Sequence, residues 1–274
     1  MEMFSLLARF REVAIEQGLG TIGDEMRLRI VALDLDGTVL DASGRLIDNV
    51  ADGVRRLRGL GMAAVVLTGR SAIAFRALTD VGDLLSQCEP EVLVDDGDTV
   101  FDRRTAECRA LTLLPAGTVE AVGARASDFV VGQPDRLIAS SRLALRAYAL
   151  AHRLSPSRID IGTPDGAASR ITVFGSPPPA VNGVTAETIR SFSAVVLRPT
   201  DGGKSAGLAR WLDARPGGVR LTDVMAIGDA DNDVSLLSAS GLGVAVTTGS
   251  PRAVAAADLH LAEPLGRFLA SFQP

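Results

Sequence analysis

An unbroken apolar run, Ile30 to Leu33, leads straight into Asp34, Leu35, Asp36 and Gly37. A run of that kind between polar residues suits a strand buried on both faces, as in a parallel sheet covered by helices. The period then changes. Ile47, Val50, Val54, Leu57 and Leu60 recur at helical spacing, and Gly59 and Gly61 stop that helix. Met62 to Leu67 predicts a second strand, which delivers Thr68-Gly69-Arg70, and Ser71 is placed to cap a helix carrying Ile73, Phe75 and Leu78. A third apolar strand, Val92 to Val94, ends in Asp95-Asp96-Gly97-Asp98. Strand, helix, strand, helix, strand is the order of a doubly wound parallel sheet.

From about Asp98 to Pro199 the rhythm is different. A hairpin is expected around Asp98 to Phe101, a strand over Arg109 to Leu113 and a helix from Thr118. Ser169 to Phe174 and Ala194 to Arg198 read as strands, with the loop Ser176-Pro177-Pro178-Pro179 between them. Several apolar segments and no low-complexity run make this an inserted α+β domain rather than a linker. The first rhythm resumes with Lys204, Leu208 and Trp211 on a helix and Val224 to Ile227 as a strand. That strand ends in Gly228-Asp229-Ala230-Asp231-Asn232-Asp233, ahead of a helix with Val234, Leu236 and Leu237. A short strand at Gly243 to Val246 follows, and Ser250-Pro251 has the chemistry of one more helix start. The fold expected is therefore α/β: a doubly wound, Rossmann-like core of residues 27–97 and 200–274, with an α+β domain inserted at 98–199. Phe4, Leu7, Phe10, Val13 and Ala14 predict a further N-terminal helix within 1–26, ended by Gly18 and Gly20.

Composition narrows the function classes. A chain of 274 residues with 47% hydrophobic content can build a large core. A net charge of −5 and few aromatic residues offer neither attraction to nucleic acid or anionic membranes nor stacking platforms. Cys88 and Cys108 are too far apart for a CxxC pair, so a reduced cytoplasmic setting is expected, and no apolar stretch reaches secretory or membrane-spanning length.

Three apolar strands hand over to polar residues at their carboxyl ends: Asp34 with Asp36, Thr68 with Gly69, and Asp229 with Asp233. Ligands of open α/β sheets bind at that edge. In a parallel sheet the three groups converge, and their carboxylates suit a hard cation such as Mg²⁺. A cation beside Thr68, a glycine amide and Lys204 would make an anion site, most naturally for phosphate. Taken alone, Asp36-Gly37 is equally good turn punctuation, with Asp34 capping a neighbouring amide.

Taken together, Asp34-Leu35-Asp36-Gly37-Thr38, Thr68-Gly69-Arg70, Lys204 and Gly228-Asp229-Ala230-Asp231-Asn232-Asp233 resemble the four ordered motifs of the haloacid dehalogenase-like (HAD) superfamily of phosphohydrolases. The resemblance covers about residues 28 to 260. Thr68 follows Asp34 by only 34 positions, whereas Lys204 follows Thr68 by 136. Such spacing resembles the Cof-like type-IIB branch, with an α/β cap after the third strand, whose members mostly hydrolyse sugar phosphates and other small phosphorylated metabolites. What the resemblance implies is a phosphatase in which Asp34 is the nucleophile that forms an aspartyl-phosphate and Asp36 the general acid and base. It implies Mg²⁺ held by the Asp34 carboxylate, the Asp36 main-chain carbonyl and Asp229, supported by Asp233. It also implies phosphoryl oxygens held by Thr68, the Gly69 amide and Lys204, with Asn232 assisting. Arg70 is left facing either the substrate or a core carboxylate. Relatives usually carry asparagine-glycine where this chain has Asp95-Asp96-Gly97-Asp98. The added negative charge is expected to favour neutral or polyhydroxylated leaving groups over carboxylated ones.

Other readings compete. Gly202-Gly203-Lys204-Ser205 lacks the first P-loop glycine, since Arg198 stands there. Gly203-Lys204-Ser205-Ala206-Gly207 matches the G-x-S-x-G elbow of serine hydrolases, with His260 downstream as a base, but Pro199-Thr200-Asp201-Gly202 is a turn where the elbow needs an entering strand. His152 and His260 read as structural or solvated. A phosphosugar mutase and a catalytically silent binding protein are further alternatives. The substrate is expected to be a small phosphorylated metabolite, bound by a monomer or homodimer. Among insertion residues able to contact it, Arg103, Arg104, Arg125, Arg136, Arg142 and Arg146 stand out by charge.

Overall fold

The computed structural model describes residues 28–164, 166–189 and 193–273. The predicted N-terminal helix lies outside the described residues. The described chain begins with β1 (Ile30–Leu33), α1 (Val50–Gly59), β2 (Ala63–Val66), α2 (Ala72–Phe75), α3 (Gly82–Gln87) and β3 (Glu91–Val94). Ser71 caps α2 through the Ala74 amide at 3.2 Å, as its position suggested. The helix expected to run on to Leu78 instead stops at Phe75, and a new one starts at Gly82.

β4 (Thr99–Asp102) pairs antiparallel with β3, so the expected hairpin exists but its turn is Asp95 to Asp98. β5 (Cys108–Ala110) is shorter than the strand expected over Arg109 to Leu113. The amides of Leu111 and Thr112 leave the ladder for the Asp98 carbonyl, at 2.7 and 3.1 Å. The insertion continues with α4 (Thr118–Gly123), β6 (Phe129–Gly132), β7 (Leu137–Ala139), α5 (Arg142–Ala151), β8 (Asp160–Ile161), β9 (Arg170–Phe174), β10 (Val184–Ile189) and β11 (Ala194–Pro199). The chain then forms α6 (Lys204–Asp213), β12 (Val224–Gly228), α7 (Val234–Ala239), β13 (Leu242–Ala245), α8 (Pro251–Ala256), β14 (Leu259–His260) and α9 (Leu265–Ser271).

The central sheet runs β14-β13-β12-β1-β2 with every pair parallel. A parallel bridge between Leu67 and Leu93 sets β3 beside β2. Alternation of side chains explains the continuous apolar runs. Val31, Leu33, Met225 and Ile227 point to one layer with α1 and α9, while Ile30, Ala32, Val224 and Ala226 point to the other with α6 and α7. Truncating any fully buried leucine here, such as Leu33, removes about 2–5 kcal/mol of stability.

The second sheet runs β10-β11-β9-β6-β7-β8 and is antiparallel except for β7 with β8. Val131, Ile171, Val173 and Leu197 pack against α4 on one face. On the other, Val130, Ala139, Phe174 and Ala194 pack against α5 and also reach Ala74 of α2. The architecture is thus α/β, with a doubly wound parallel core and a mixed-sheet unit above its carboxyl edge. Among the described residues no helix is long and apolar enough to cross a membrane.

Candidate active site

Parallel pairing of β12, β1 and β2 brings three strand ends to one edge. Asp34 follows β1, Thr68 follows β2 by way of Leu67, and Asp229 follows β12. All three lie at the carboxyl edge, and Lys204 joins them from the first turn of α6. Lys204 Nζ donates to Asp34 Oδ1 and to Asp233 Oδ1, each at 2.6 Å. Its ammonium is fully buried. Burial alone would lower the lysine pKa, but the fields of Asp34 and Asp233 outweigh it and raise the pKa.

Oxygen atoms of Asp34, Asp229 and Asp233 all lie within 4.8 Å of one another. Burial pushes the Asp34 carboxyl up to about 8, against the pull of Lys204 and with Asp233 adding to the rise. Burial also raises the pKa of Asp229, whose side chain is within hydrogen-bond reach of Asp34. Two ionised carboxylates cannot share such a contact without a proton or a cation between them. An all-oxygen, over-anionic cluster with one ammonium therefore fits a hard metal ion.

Asp233 has a different task from its neighbours. One oxygen accepts from Lys204, and the other accepts the amides of Asp229 and Ala230 at 3.1 and 3.0 Å. With both oxygens engaged, it braces the loop and the lysine. Thr38 Oγ1 donates to Asp229 Oδ1 at 3.0 Å. Gly37 has φ +87°, and a Cβ there would overlap the Asp229 carboxylate, so both the turn and the close approach require glycine.

Asp36 stands apart from the carboxylate cluster. Arg70 grips it in a two-pronged ion pair, Nε to Oδ2 at 2.7 Å and Nη2 to Oδ1 at 2.6 Å, with the Asp36 side chain half exposed. The open question about Arg70 is thereby answered: it faces a core carboxylate. Thr68 is buried and its hydroxyl accepts the Arg70 amide at 3.1 Å. Gly69 lies so close to Asp96 that a Cβ would come within 3.0 Å of its Oδ1. Asn232 donates one N–H to the same Asp96 Oδ1 at 2.8 Å, which ties it to the turn after β3.

Asp96 overturns the expectation of a more negative entrance. Arg170 of β9 pairs with Asp96 Oδ2 and donates to the Gly69 carbonyl at 2.7 Å, and Arg198 of β11 approaches Asp96 Oδ2 at 3.5 Å. Burial would raise the Asp96 pKa, but Arg170, Lys204 and Arg198 hold it down at about 2. The acid is thus compensated from the second sheet. Neither arginine was among the six singled out by charge. Among those six, Arg103 caps the carbonyls of Leu85, Cys88 and Glu89, and Arg104 pairs with Asp102. The signal for Arg170 was present in β9 itself, where Arg170, Thr172 and Phe174 alternate with the core residues Ile171 and Val173.

The serine-elbow reading fails in the structure. Ser205 lies inside the first turn of α6 rather than on a strand-to-helix elbow, and no hydrogen bond joins it to His260 among the described residues. Its motif glycine, Gly207, has a packing role: a Cβ there would overlap the backbone of Gly97.

A family model described as haloacid dehalogenase-like hydrolase matches residues 190–263, the stretch that holds Lys204, Asp229 and Asp233. Over that stretch the chain is similar to haloacid dehalogenase-like hydrolases. Its curated relatives include the chloroplastic endoribonuclease YBEY of Arabidopsis thaliana, 24% identical over 86% of this chain, of whose length the match spans only 45%. A phosphoglycolate phosphatase of Methanoculleus marisnigri is 25% identical over 84% of this chain and 89% of its own. Among solved structures, a HAD subclass IIB sugar phosphatase superposes with a TM-score of 0.71 at 15% identity, covering 87% of this chain and 96% of that one. The HAD core and the subclass IIB arrangement of its second sheet are therefore shared at the level of fold.

Proposed function

We propose that this protein is a Mg²⁺-dependent phosphomonoesterase that acts on a small phosphorylated metabolite through an aspartyl-phosphate on Asp34. The observation that carries the reading is the buried meeting of Asp34, Asp229, Asp233 and Lys204 at the carboxyl edge of a parallel sheet. The phosphatase relative that matches along most of both chains points the same way. In this reading residues 27–97 and 200–274 form the catalytic core, and 98–199 supply the cap that covers the leaving group.

An Asp34 oxygen forms a bond to phosphorus as the bond from phosphorus to the leaving oxygen breaks. Asp36 delivers the proton that the leaving oxygen needs. In the second step Asp36 takes a proton from water, the water oxygen bonds to phosphorus, and the bond from phosphorus to Asp34 breaks, releasing orthophosphate. Lys204 holds Asp34 in place and, with Thr68 and the Gly69 amide, stabilises charge on the transferring oxygens. In the structure both Asp36 oxygens pair with Arg70, so Asp36 exchanges one of these bonds for the leaving oxygen when substrate binds. Mg²⁺ would be held by Asp34, the Asp36 carbonyl and Asp229, with Asp233 behind them, and would offset the repulsion between carboxylate and phosphate. Net charge of −5 accords with a diffusible metabolite substrate in the cytoplasm, with no nucleic-acid or membrane partner.

The test is phosphate release from a panel of sugar, cofactor and nucleotide phosphates with Mg²⁺, with Asp34→Asn as the blank. At least one compound is expected to be hydrolysed by the wild type and not by Asp34→Asn. Release that survives Asp34→Asn unchanged would overturn this reading.

A further inference from the structure

A cavity of about 350 Å³ opens between the loops after β3 and β12 and the face of the second sheet. Asp96, Asn232 and Asp231 form its floor, so it adjoins the phosphoryl site. Strand register orders its roof in rows. Nearest the core is Arg170; next come Glu187, Val196 and Thr172; farthest out are Ile189, Ala194 and Phe174. His152, whose ring lies 4.1 Å from that of Tyr148 at an angle of 31°, closes one side.

Charge in this cavity is balanced within the protein. Arg170 pairs with Asp96, Glu187 with Arg198, and Asp231 with Arg252. A carboxylate on the substrate would therefore meet no unmatched cation. The outer row would leave sugar hydroxyls facing aliphatic and aromatic carbon, where a hydroxyl without a partner is costly. One lining hydroxyl remains: Thr172, in the middle row, makes no side-chain hydrogen bond among the described residues.

From this balance we infer that the leaving group is an uncharged compound with a compact apolar ring and a hydrogen-bond acceptor near the ester, rather than a polyhydroxylated sugar or a carboxylate. The ring lies against Phe174, Ile189 and Val196, and the acceptor meets the Thr172 hydroxyl. This rests on the phosphatase reading for the placement of the phosphate, and it narrows the substrate class expected from sequence by removing its polyhydroxylated half.

The test measures binding apart from turnover. Benzyl phosphate, glucose 6-phosphate, 2-phosphoglycolate and inorganic phosphate are titrated calorimetrically into Asp34→Asn with Mg²⁺. Benzyl phosphate is expected to bind roughly tenfold or more tightly than the sugar phosphate and the phosphoglycolate. Adding Phe174→Ser, or Ile189→Asn at the sheet edge if the first variant folds poorly, should erase that preference and leave inorganic phosphate binding unchanged. Equal or tighter binding of either competitor overturns the inference, as does a variant that weakens inorganic phosphate as much as benzyl phosphate. Tight, Phe174-dependent benzyl phosphate binding without phosphate release by the wild type would sink the phosphatase reading and leave the cavity assignment standing.

Discussion

Asp98 shows how a side chain outside the proposed chemistry shapes the pH response. It is 1% exposed; Oδ1 accepts the Gly203 amide at 3.1 Å, while Oδ2 has no hydrogen-bond partner among the described residues. Burial pushes its carboxyl up to about 7, against the Gly203 hydrogen bond. A raised folded pKa means that the folded state holds the proton longer than the unfolded chain. Its stabilising share is complete below about 4 and is lost as pH rises toward 7. Asp98→Asn retains an acceptor for Gly203 and cannot ionise. The variant is expected to melt several degrees above wild type at pH 8 and near it at pH 4.5; equal differences at both pH values would refute this. Lys204→Met tests the opposite balance. Removing the ammonium strands the buried carboxylates of Asp34 and Asp233, at a cost of about 3–5 kcal/mol. Thermal melts with Mg²⁺ and with chelator should show a larger Mg²⁺-induced gain in the variant than in wild type, since the cation replaces lost positive charge.

At the scale of elements, what the sequence disclosed depended on how local the cause was. β1, β2 and β12 are buried on both faces, so their apolar runs and the polar residues after them stand out without any knowledge of neighbours. Convergence of Asp34, Thr68 and Asp229 followed from parallel pairing alone. β10 stayed hidden because an edge strand with exposed Thr185, Ala186 and Thr188 carries no apolar face to read. The partners of Asp96 stayed hidden too, because Arg170 and Arg198 reach it only once the antiparallel second sheet is assembled over the core. Gly207 was visible but pointed to the wrong chemistry. Its missing side chain lets α6 lie on the turn at Gly97, which keeps Lys204 and Gly203 in register with Asp34 and Asp98. Gly207→Ala should lift that helix and cost about 1–3 kcal/mol as overpacking, beyond any gain in helix propensity. Urea unfolding measures the loss, and a stability equal to or above wild type would mean that the contact yields freely.

For the whole molecule, the question is what couples two units that each have a core of their own. The second sheet closes its apolar clusters chiefly on α4 and α5, with only Ala74 and Ile73 of α2 joining from the parallel unit, so burial couples the two only weakly. Arg170 supplies a polar tie, with one nitrogen on the Gly69 carbonyl and another on Asp96, both within the proposed catalytic core. The tie is buried, so truncating one partner leaves the other charge uncompensated, whereas removing both is cheaper. Arg170→Met is therefore expected to lose about 3–5 kcal/mol, and Asp96→Asn added to it should recover part of that loss, with a coupling of about 0.5–3 kcal/mol. Hydrogen exchange should quicken in β9, in β11 and around Gly69 of Arg170→Met, while the centre of β1 keeps its protection. Strictly additive losses, or exchange that quickens equally across β1, would show that the arginine serves general stability rather than the joint between the two sheets.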